Sequence, residues 1–596
     1  MNGLLAQTDS PRRAPFPFAS IWFWIAFGVL ALTLLRFELL ATTLAGGFPE
    51  SDDIMRLLQV RDWLAGQSWG DLRQTRLGPD PSFVMHWSRV IDVPIAGLLL
   101  LLSTLLAPES AENWTRVLFP AACLALALVG GLRLGATLGL AAPLPLLFAL
   151  LLLASYSQFQ SGRIDHHGPQ IALLMFVYDS ALRALNPETA GSALLTGALA
   201  ALSIAVSVET APLLVVACLV LAVRWVVVGA PAWPALRLLA LGLAGGFAAF
   251  YFAFAAEGSK AAGACDSLSS AWLTAGLASG AALLALERVV RGQTHPAMRL
   301  GALVLAGLLV GVAVGLLHPS CLRHPYSAID PLVVEAWLSK VSEAQNLRSS
   351  AANEAGVRAL LAPAVLGSLG LLWALWLTKG LSRIRWLAMG AIVLGAWALT
   401  SFEVRALSQL TAISAFGAVF AAQDLVARMQ ARWGLSRAWV FVALLPLFPL
   451  FWFAAFDSVA SAKSPELVSP APACFTRAAL DPLSQQAQSL TLAPIDAGAS
   501  ILLHTAQRVL AAPYHRNVEG NKEAIEVLLA EPALAQTRVK RAGVRFVAIC
   551  PLAADAKVLA AMAPTGLAAR LMGDEPFDWL APLHEQGASL KIFEVR

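Results

Sequence analysis

Charged residues are scarce in this sequence. Asp, Glu, Lys and Arg together make up 13% of its 596 residues, whereas 58% are hydrophobic, and soluble domains are typically about a quarter charged. The scarcity excludes an ordinary soluble protein, and the mean hydropathy of +0.68 indicates a polytopic α-helical membrane protein. The net charge of +4 is small, and the sequence has no glycine-rich phosphate loop or nucleic-acid-binding motif. We therefore expect no nucleic acid partner and no nucleotide-driven chemistry.

Apolar runs long enough to cross a bilayer recur through most of the chain. The sequence has about thirteen of them. They lie at about 19–43, 116–133, 136–156, 169–186, 190–206, 210–229, 236–255, 270–288, 299–317, 360–378, 384–401, 404–425 and 438–456. A shorter run near 93–107 is either one more span or a helix lying on the membrane surface.

The short loops between these runs show a one-sided distribution of Lys and Arg. If the segment with Arg12 and Arg13 is cytoplasmic and 93–107 does not span, the basic short loops all fall on one side, as the positive-inside rule requires. The chain is therefore predicted to be a multi-pass protein of a bacterial inner membrane with a cytoplasmic N-terminus. Counting 93–107 as a span would reverse every later loop.

This orientation places the large segments outside. We expect residues 1–456 to form a membrane domain with long outer loops at 44–115 and 318–359, and residues 457–596 to form a periplasmic α+β domain. The tail is much less apolar than the rest, contains the strand-like runs SILLHT and VRFVAIC, and is long enough for a core of its own.

Cysteines are few, and the six present show no CxxC or zinc-finger spacing. Cys265, Cys321, Cys474 and Cys550 fall on the predicted outer side, where an oxidising compartment permits disulfides. Cys474 with Cys550 and Cys265 with Cys321 are the candidate pairs, and four free thiols are the alternative.

Acidic residues near a bilayer are costly and usually functional, and the first outer loop begins with two of them. Asp52 and Asp53 lead the helix-like segment SDDIMRLLQVRDWLAG. Aspartates at such a place cap free amides and favour the positive end of a helix. The alternative is that one of them binds a divalent cation.

The second outer loop carries GRIDHHGPQ between two predicted spans. Asp165, His166 and His167 are either a polar end turn held by hydrogen bonds or part of a metal site, because Asp and His are both metal ligands. Adjacent histidines point in different directions, so at most one of them joins Asp165 on an ion. Carboxylates with few imidazoles suit Mg²⁺ or Mn²⁺.

Two further motifs lie later in the chain. VVEAWLSKVSEAQN places Glu335 and Glu343 on one face if the segment is helical, and a solvated helix face is the alternative to a ligand role. FEVRALSQL has Glu403 and Arg405 at the outer end of a span. Arg405 either pairs with Glu403 or holds a phosphate through two hydrogen bonds.

These residue types together suit a lipid-linked diphosphate. A metal acts as a Lewis acid on the leaving phosphate, an arginine positions that phosphate, and a carboxylate activates an acceptor as general base. The donor itself must supply the energy, because the chain has no nucleotide loop.

The ordered set of motifs resembles the catalytic subunit of oligosaccharyltransferases, in the GT-C superfamily of polyprenyl-sugar-dependent glycosyltransferases. SDDIMRLLQVRD occupies the place of the family's first acidic motif, with Asp52 and Asp53 as alternatives for its metal-binding aspartate. ASYSQFQSGRIDHHG occupies the place of the second, in which Asp165 matches the first acid and His167 replaces the second. The resemblance covers nearly the whole chain and implies a GT-C fold.

The resemblance also implies roles for the later motifs. KVSEAQ offers Glu343 for the glutamate that completes the family's metal site, and Arg405 stands where a family arginine contacts the donor phosphate. It implies that Asp52 or Asp53, Asp165 and Glu343 are catalytic and that they hold Mg²⁺ or Mn²⁺ together with His167.

The family's Trp-Trp-Asp-Tyr-Gly motif, which reads an Asn-x-Ser/Thr acceptor, has no full counterpart. The nearest stretch, LAPIDAGASILLH, retains Asp496 but has no tryptophan. In MHWSRVIDVP, His86 and Arg89 either shape the donor or acceptor cleft or pack within the first loop. His515, in PYHRN, is a further candidate for contact with the acceptor.

We therefore expect a membrane glycosyltransferase that moves a sugar or oligosaccharide from a polyprenyl-(di)phosphate donor to a periplasmic envelope acceptor, which is a lipid, a polysaccharide or a protein. One alternative is a protein oligosaccharyltransferase acting on Asn or Ser, against which the missing tryptophans count. Another is a transporter or flippase of lipid-linked sugars, which should place polar residues near the bilayer midplane and often has internal repeats.

Overall fold

The computed structural model describes residues 18–154, 158–257, 260, 264–290, 295–323, 329–457, 473–573, 575–583, 585 and 587–596. Arg12 and Arg13, on which the predicted orientation rests, lie outside the described residues, as do residues 155–157 of the turn before GRIDHHGPQ.

Helices make up most of the chain before residue 458. In chain order they are α1 (Phe18–Leu35), α2 (Phe37–Leu44), α3 (Ser51–Leu64), α4 (Asp92–Ser103), α5 (Pro108–Thr137), α6 (Pro143–Ala154), α7 (His167–Arg183), α8 (Ser192–Val206), α9 (Ala211–Val228), α10 (Trp233–Phe254), α11 (Ser270–Val289), α12 (Pro296–Leu317), α13 (Pro331–Ala336), α14 (Leu347–Asn353), α15 (Ala355–Leu377), α16 (Gly380–Phe402), α17 (Leu407–Trp433), α18 (Trp439–Leu444) and α19 (Pro449–Asp457).

A helix lies at each of the predicted spans, although not all are of full span length. Among the described residues, seven helices are long and apolar enough to cross a membrane, namely α5, α9, α10, α12, α15, α16 and α17, and the pair α1–α2, bent by 75°, would make an eighth. Helices α4, α6, α8 and α11 are apolar but shorter. The multi-pass character is thus confirmed, whereas the count of about thirteen stays a prediction.

Small residues allow the central helices to pack backbone against backbone. A Cβ at Gly367 of α15 would lie 2.2 Å from the carbonyl oxygen of Ser414 in α17, and one at Gly417 would lie 2.1 Å from the carbonyl oxygen of Gly367. Small residues at helix contacts are typical of membrane bundles, where the apolar effect does not drive helices together. This close packing fixes α17, whose first turn follows Arg405.

The C-terminal part combines helices with a small sheet, as the α+β prediction requires, and is called the C-terminal domain below. Its helices are α20 (Arg477–Ser484), α21 (Gly498–His504), α22 (Val518–Leu529), α23 (Pro532–Arg541), α24 (Ala554–Met562) and α25 (Leu567–Met572), and its strands are β1 (Leu490–Leu492), β2 (Arg508–Val509), β3 (Val544–Ile549), β4 (Leu580–Pro582) and β5 (Lys591–Val595). The strand order is β2-β1-β3-β5-β4. Strand β1 is parallel to β2 and β3, with Thr491 opposite Phe546, whereas β5 is antiparallel to β3 and β4.

The C-terminal domain shares its hydrophobic core with the loop between α2 and α5. Ile54, Met55 and Leu77 of that loop pack in the same cluster as the buried residues of the sheet. The amide of Gly78 donates to the carbonyl of Val509 over 2.9 Å, so the loop adds a short bridge to the edge of the sheet. The domain is therefore held over the start of α3.

The structure departs from one strand prediction and from one conditional helix, and it contains one predicted strand and both candidate disulfides. SILLHT is not a strand but most of helix α21, because a short apolar run suits a buried helix as well as a buried strand. Residues 333–346 are not one helix, because α13 ends at Ala336 and two 3₁₀ turns follow. VRFVAIC does form β3, and both predicted disulfides, Cys265–Cys321 and Cys474–Cys550, are present.

Candidate functional site

Asp53 links the first acidic motif to the second. It lies in the first turn of α3 and is fully buried. Its Oδ1 accepts hydrogen bonds from the backbone amides of Ile164 (2.7 Å) and Asp165 (3.1 Å). Burial raises the pKa of Asp53 well above its usual range, against the opposing effect of Arg163. Asp53 therefore positions the backbone of the second motif.

Asp165 is the centre of the second motif. Its carboxylate pairs with Arg163, and its Oδ1 accepts the amide of His167 over 3.0 Å at the start of α7. Burial alone would raise the pKa of Asp165, but Arg163 and the two adjacent histidines outweigh burial and lower it. Asp165 is therefore held ionised, which is the form that binds a cation.

Arg163 was missed by the sequence analysis. It is buried, pairs with Glu50 and Asp165, and its Nη1 lies 3.8 Å from Oδ2 of Asp53. A single basic residue two positions before an acid is a weak signal, but its burial among three carboxylates explains how so many acids share this small volume.

Asp52 faces a different direction from its neighbour. It is half-buried, and burial, followed by the charges of Glu343 and Asp165, raises its pKa well above the ordinary aspartate range. The carboxylate of Asp53 therefore holds the backbone of the second motif, whereas the carboxylate of Asp52 lies near that of Glu343. The sequence alone left these two aspartates as alternatives.

Glu343 reaches the site from the loop between α12 and α15. It lies in the 3₁₀ turn Ser342–Ala344 and is close enough to act electrostatically on Asp52 and His167. The amide of Val404 donates to the carbonyl of Gln345 over 2.9 Å, which ties this turn to the segment carrying Arg405. Glu335, by contrast, is exposed.

Glu209 is a second residue that the sequence analysis missed. Its Oε1 lies 2.8 Å from Nη1 of Arg405, and its Oε2 lies 3.3 Å from Nε2 of His166 and 3.6 Å from Nδ1 of His167. Arg405 also pairs with Glu403 at 2.9 Å, which confirms that predicted contact. An acid in SVETAP, directly before an apolar run, is the signal that could have identified Glu209.

These residues could hold a divalent cation. In the described part of the chain, the candidate ligand atoms of His166, His167 and Glu209 all lie within 4.8 Å of one another. The ligand atoms of the predicted metal-binding residues are not all within that distance of one another; these residues are Asp52, Asp53, Asp165, His167 and Glu343. Oδ2 of Asp53 is buried and accepts no hydrogen bond from any described residue, which a nearby cation would compensate. The carboxylate-rich set with His167 fits Mg²⁺ or Mn²⁺, whereas the two imidazoles and one carboxylate of the tight set also suit a zinc-class ion.

The remaining predicted residues lie in two places. The rings of His86 and His515 lie 4.6 Å apart between centroids and are tilted by 60°, close to the site because Trp87 contacts the ring of His166. Arg89 is buried inside the first loop, where it donates to the carbonyls of Trp69 and Asp71. This placement favours the packed-loop alternative for Arg89 over a role in the cleft.

Asp496 lies in the C-terminal domain opposite a second carboxylate. Its backbone amide donates to Asp555 over 2.8 Å. Burial and the charge of Asp555 raise the pKa of Asp496 to about 7, and a hydrogen bond from Trp337 partly offsets the rise. Asp496 therefore lies between Asp555 of the same domain and Trp337 of the loop after α12.

We expect Asp496→Asn to stabilise the protein at alkaline pH. Because the folded-state pKa lies above the unfolded value, the folded state binds its proton more tightly, and stability is lost as the pH rises from about 4 to about 7. Asparagine mimics the protonated form, so the melting temperature should rise by roughly 3–6 °C at pH 8 and by little at pH 4.5. Thermal unfolding in detergent at both pH values tests this, with the exposed Asp481→Asn as control. An equal shift at both values would contradict the pKa assignment.

Comparisons with known proteins show the fold. No family model matches the sequence, and no curated protein is significantly similar to it. The structure is similar to the oligosaccharyltransferase AglB of Archaeoglobus fulgidus in complex with an inhibitory peptide and a dolichol-phosphate, with a TM-score of 0.61, 15% identity, and coverage of 92% of this chain and 72% of that chain. The same archaeal enzyme tethered to an acceptor peptide with the NVT sequon gives a TM-score of 0.59 at 14% identity over 92% and 72% of the two chains.

A third structure of that archaeal enzyme, a complex with Zn and sulfate, is similar with a TM-score of 0.57 and 14% identity over 91% of this chain and 71% of that one. The predicted resemblance to oligosaccharyltransferase catalytic subunits is therefore confirmed for the fold alone. At 14–15% sequence identity, the structural similarity shows a shared fold but does not show a shared activity.

Proposed function

We propose that the protein is a GT-C glycosyltransferase that moves a sugar or oligosaccharide from a polyprenyl-(di)phosphate donor to an acceptor of the cell envelope. The observation that carries the proposal is the convergence of four chain segments on one site. Asp52, in α3, lies close to Asp165 and Glu343, and a backbone hydrogen bond from Val404 to Gln345 ties the turn of Glu343 to the segment of Arg405. The fold shared with an archaeal oligosaccharyltransferase supports it.

Each group has a chemical role in this proposal. Arg405, held between Glu209 and Glu403, binds the donor phosphate, since guanidinium matches phosphate oxygens in pairs. A divalent cation held by Asp52, Asp165, His167 and Glu343 would supply Lewis-acid stabilisation of the leaving phosphate when bound.

Asp52 is the candidate general base. Its pKa is raised by burial and by the nearby acids, which brings a carboxyl group closer to the pH at which it can exchange protons with an acceptor hydroxyl. Asp53 and Arg163 are positioning residues, because they hold the backbone and carboxylate of Asp165.

A lipid or polysaccharide acceptor is favoured over a peptide. Asp496, the remnant of the family's sequon-reading motif, is turned against Asp555 and Trp337. The AglB structures with peptides support the alternative, a protein oligosaccharyltransferase acting on Asn or Ser. A transporter or flippase is disfavoured because the charged site lies at the ends of the helices, at one membrane face. In this proposal the protein sits in a bacterial inner membrane with its C-terminal domain in the periplasm.

The proposal is tested by comparing two strains, one with the wild-type gene and one with Asp165→Ala at equal protein level. Periplasmic glycopeptides and envelope glycolipids and polysaccharides are profiled by mass spectrometry. Loss of a sugar from lipid or polysaccharide supports the proposal, and loss of glycopeptides supports the protein-directed alternative. If expressed wild-type protein changes neither profile relative to the variant, the glycosyltransferase proposal fails and a transporter gains support.

A further inference from the structure

Three metal-ligating side chains meet outside the proposed catalytic site. His86 comes from the loop between α3 and α4, Asp266 from the loop between α10 and α11, and His515 from the C-terminal domain. Their candidate ligand atoms all lie within 4.8 Å of one another. Nε2 of His515 is 2.8 Å from Oδ2 of Asp266, and the His86 and His515 rings are 4.6 Å apart.

From this arrangement we propose a second metal site, which binds a zinc-class divalent ion through His86, Asp266 and His515. Two imidazoles and one carboxylate are a donor set that suits Zn²⁺ better than Mg²⁺ or Ca²⁺. Three protein ligands leave a fourth position for water or a substrate group. The site goes beyond the proposed transfer reaction, which does not require it.

Two of the three ligands lie next to residues that are anchored before any ion binds. Asp266 follows Cys265, whose disulfide to Cys321 anchors that loop. His515 follows Tyr514, whose hydroxyl donates to the carbonyl of Ser51 over 2.8 Å. Preorganisation of this kind lowers the ordering cost of ligand binding.

The environment of the cluster fits a cation. Nδ1 of His86 is buried and has no hydrogen-bond partner among the residues that the structure describes, and the three residues are half-buried, so an ion can reach them. Arg516 donates two hydrogen bonds to Asp266, one from Nη2 to Oδ1 over 2.5 Å and one from Nε to Oδ2 over 2.8 Å. An ion that binds Oδ2 displaces the bonds that this oxygen makes to Nε of Arg516 and Nε2 of His515, whereas the bond from Nη2 to Oδ1 remains as the outer hydrogen bond that usually orients a ligating carboxylate.

A bound ion would link the C-terminal domain, through His515, to the first loop and to the loop after α10, beside the proposed catalytic site. Trp87, which follows His86, lies 5.6 Å from His166 between ring centroids. Because an ion that binds the folded state alone stabilises it, Zn²⁺ should hold the domain over the first loop.

The test uses Zn²⁺ as the probe and the full chain in detergent. His166→Gln and His167→Gln are introduced first, so that the imidazoles of the other cluster are absent and glycosyl transfer plays no part in the readout. After chelation and Zn²⁺ titration, this background should retain one tight ion per chain by elemental analysis. Adding His86→Gln and His515→Gln should weaken binding by about 100-fold or more, and Arg516→Gln alone by about 10-fold.

A spectroscopic measurement covers the case in which the fourfold variant does not fold. X-ray absorption of the Zn²⁺-loaded background protein should show two imidazoles and oxygen in the coordination sphere. A background protein without a tight ion, a fourfold variant that binds Zn²⁺ equally well, or a spectrum without imidazole overturns the second site. None of these results bears on the transfer reaction, which fails or holds by the glycan profiles.

Discussion

Replacing Asp165 by asparagine should reduce glycosyl transfer by about 10³-fold or more, since it removes a charged group proposed to bind the catalytic ion. The buried carboxylate pairs with Arg163 and accepts the amide of His167. Asparagine has nearly the same shape but no charge, so Arg163 loses one of its charged partners but keeps Glu50, while the backbone hydrogen bond can persist. The measurement is release of polyprenyl phosphate from a polyprenyl-linked sugar by purified protein, with and without added Mg²⁺ or Mn²⁺.

The matched control lies at the other end of the same helix. Asp179 of α7 is also buried, and it pairs with Arg133 at 3.2 Å and accepts Thr137 at 2.6 Å. Asp179→Asn should therefore cost stability but leave transfer within a few-fold of wild type. Equal losses in the two variants would mean that Asp165 acts through stability alone, and the catalytic assignment would be wrong.

Replacing Arg405 by glutamine should lower kcat/KM for the donor by about 10²–10³-fold, the range for removal of a group that stabilises developing negative charge. Its guanidinium lies between Glu209 and Glu403, which holds the planar fork in one orientation. Arg405→Lys keeps the charge but not the paired hydrogen bonds, so we expect a loss of about 10-fold. Steady-state kinetics at varied donor concentration measure both variants.

Arg428 provides the control for this prediction. It lies in α17, the helix that follows Arg405, and pairs with Asp424 at 2.7 Å in a largely exposed position. Arg428→Gln should change kcat/KM little. If Arg405→Lys is as defective as Arg405→Gln, charge alone does not explain the role of the arginine; if both are fully active, Arg405 does not contact the donor.

Much of the site could be predicted from the sequence, because charged side chains near a bilayer cost free energy and are therefore usually functional. Asp165, Glu343 and Arg405 are polar groups beside apolar runs, and the structure brings their segments to one face. Arg163 was not predicted, since nothing local distinguishes a basic residue in a polar loop, and Glu209 was not predicted although an acid directly before an apolar run is a local signal. Arg163 pairs with Glu50, which lies 113 positions earlier in the sequence, and Glu209 pairs with Arg405, which lies 196 positions later. Their roles therefore depend on contacts that only the fold creates.

The sequence by itself determined the membrane class, the positions of the apolar helices and the acidic motifs, because these depend on composition and on local patterns. Only the tertiary structure shows where the side chains of Asp52 and Asp53 lie. Neighbouring residues on a helix point about 100° apart, so the side of α3 that packs against the second motif determines their directions. That packing turns Asp53 inward to the amides of Ile164 and Asp165 and leaves Asp52 facing Glu343.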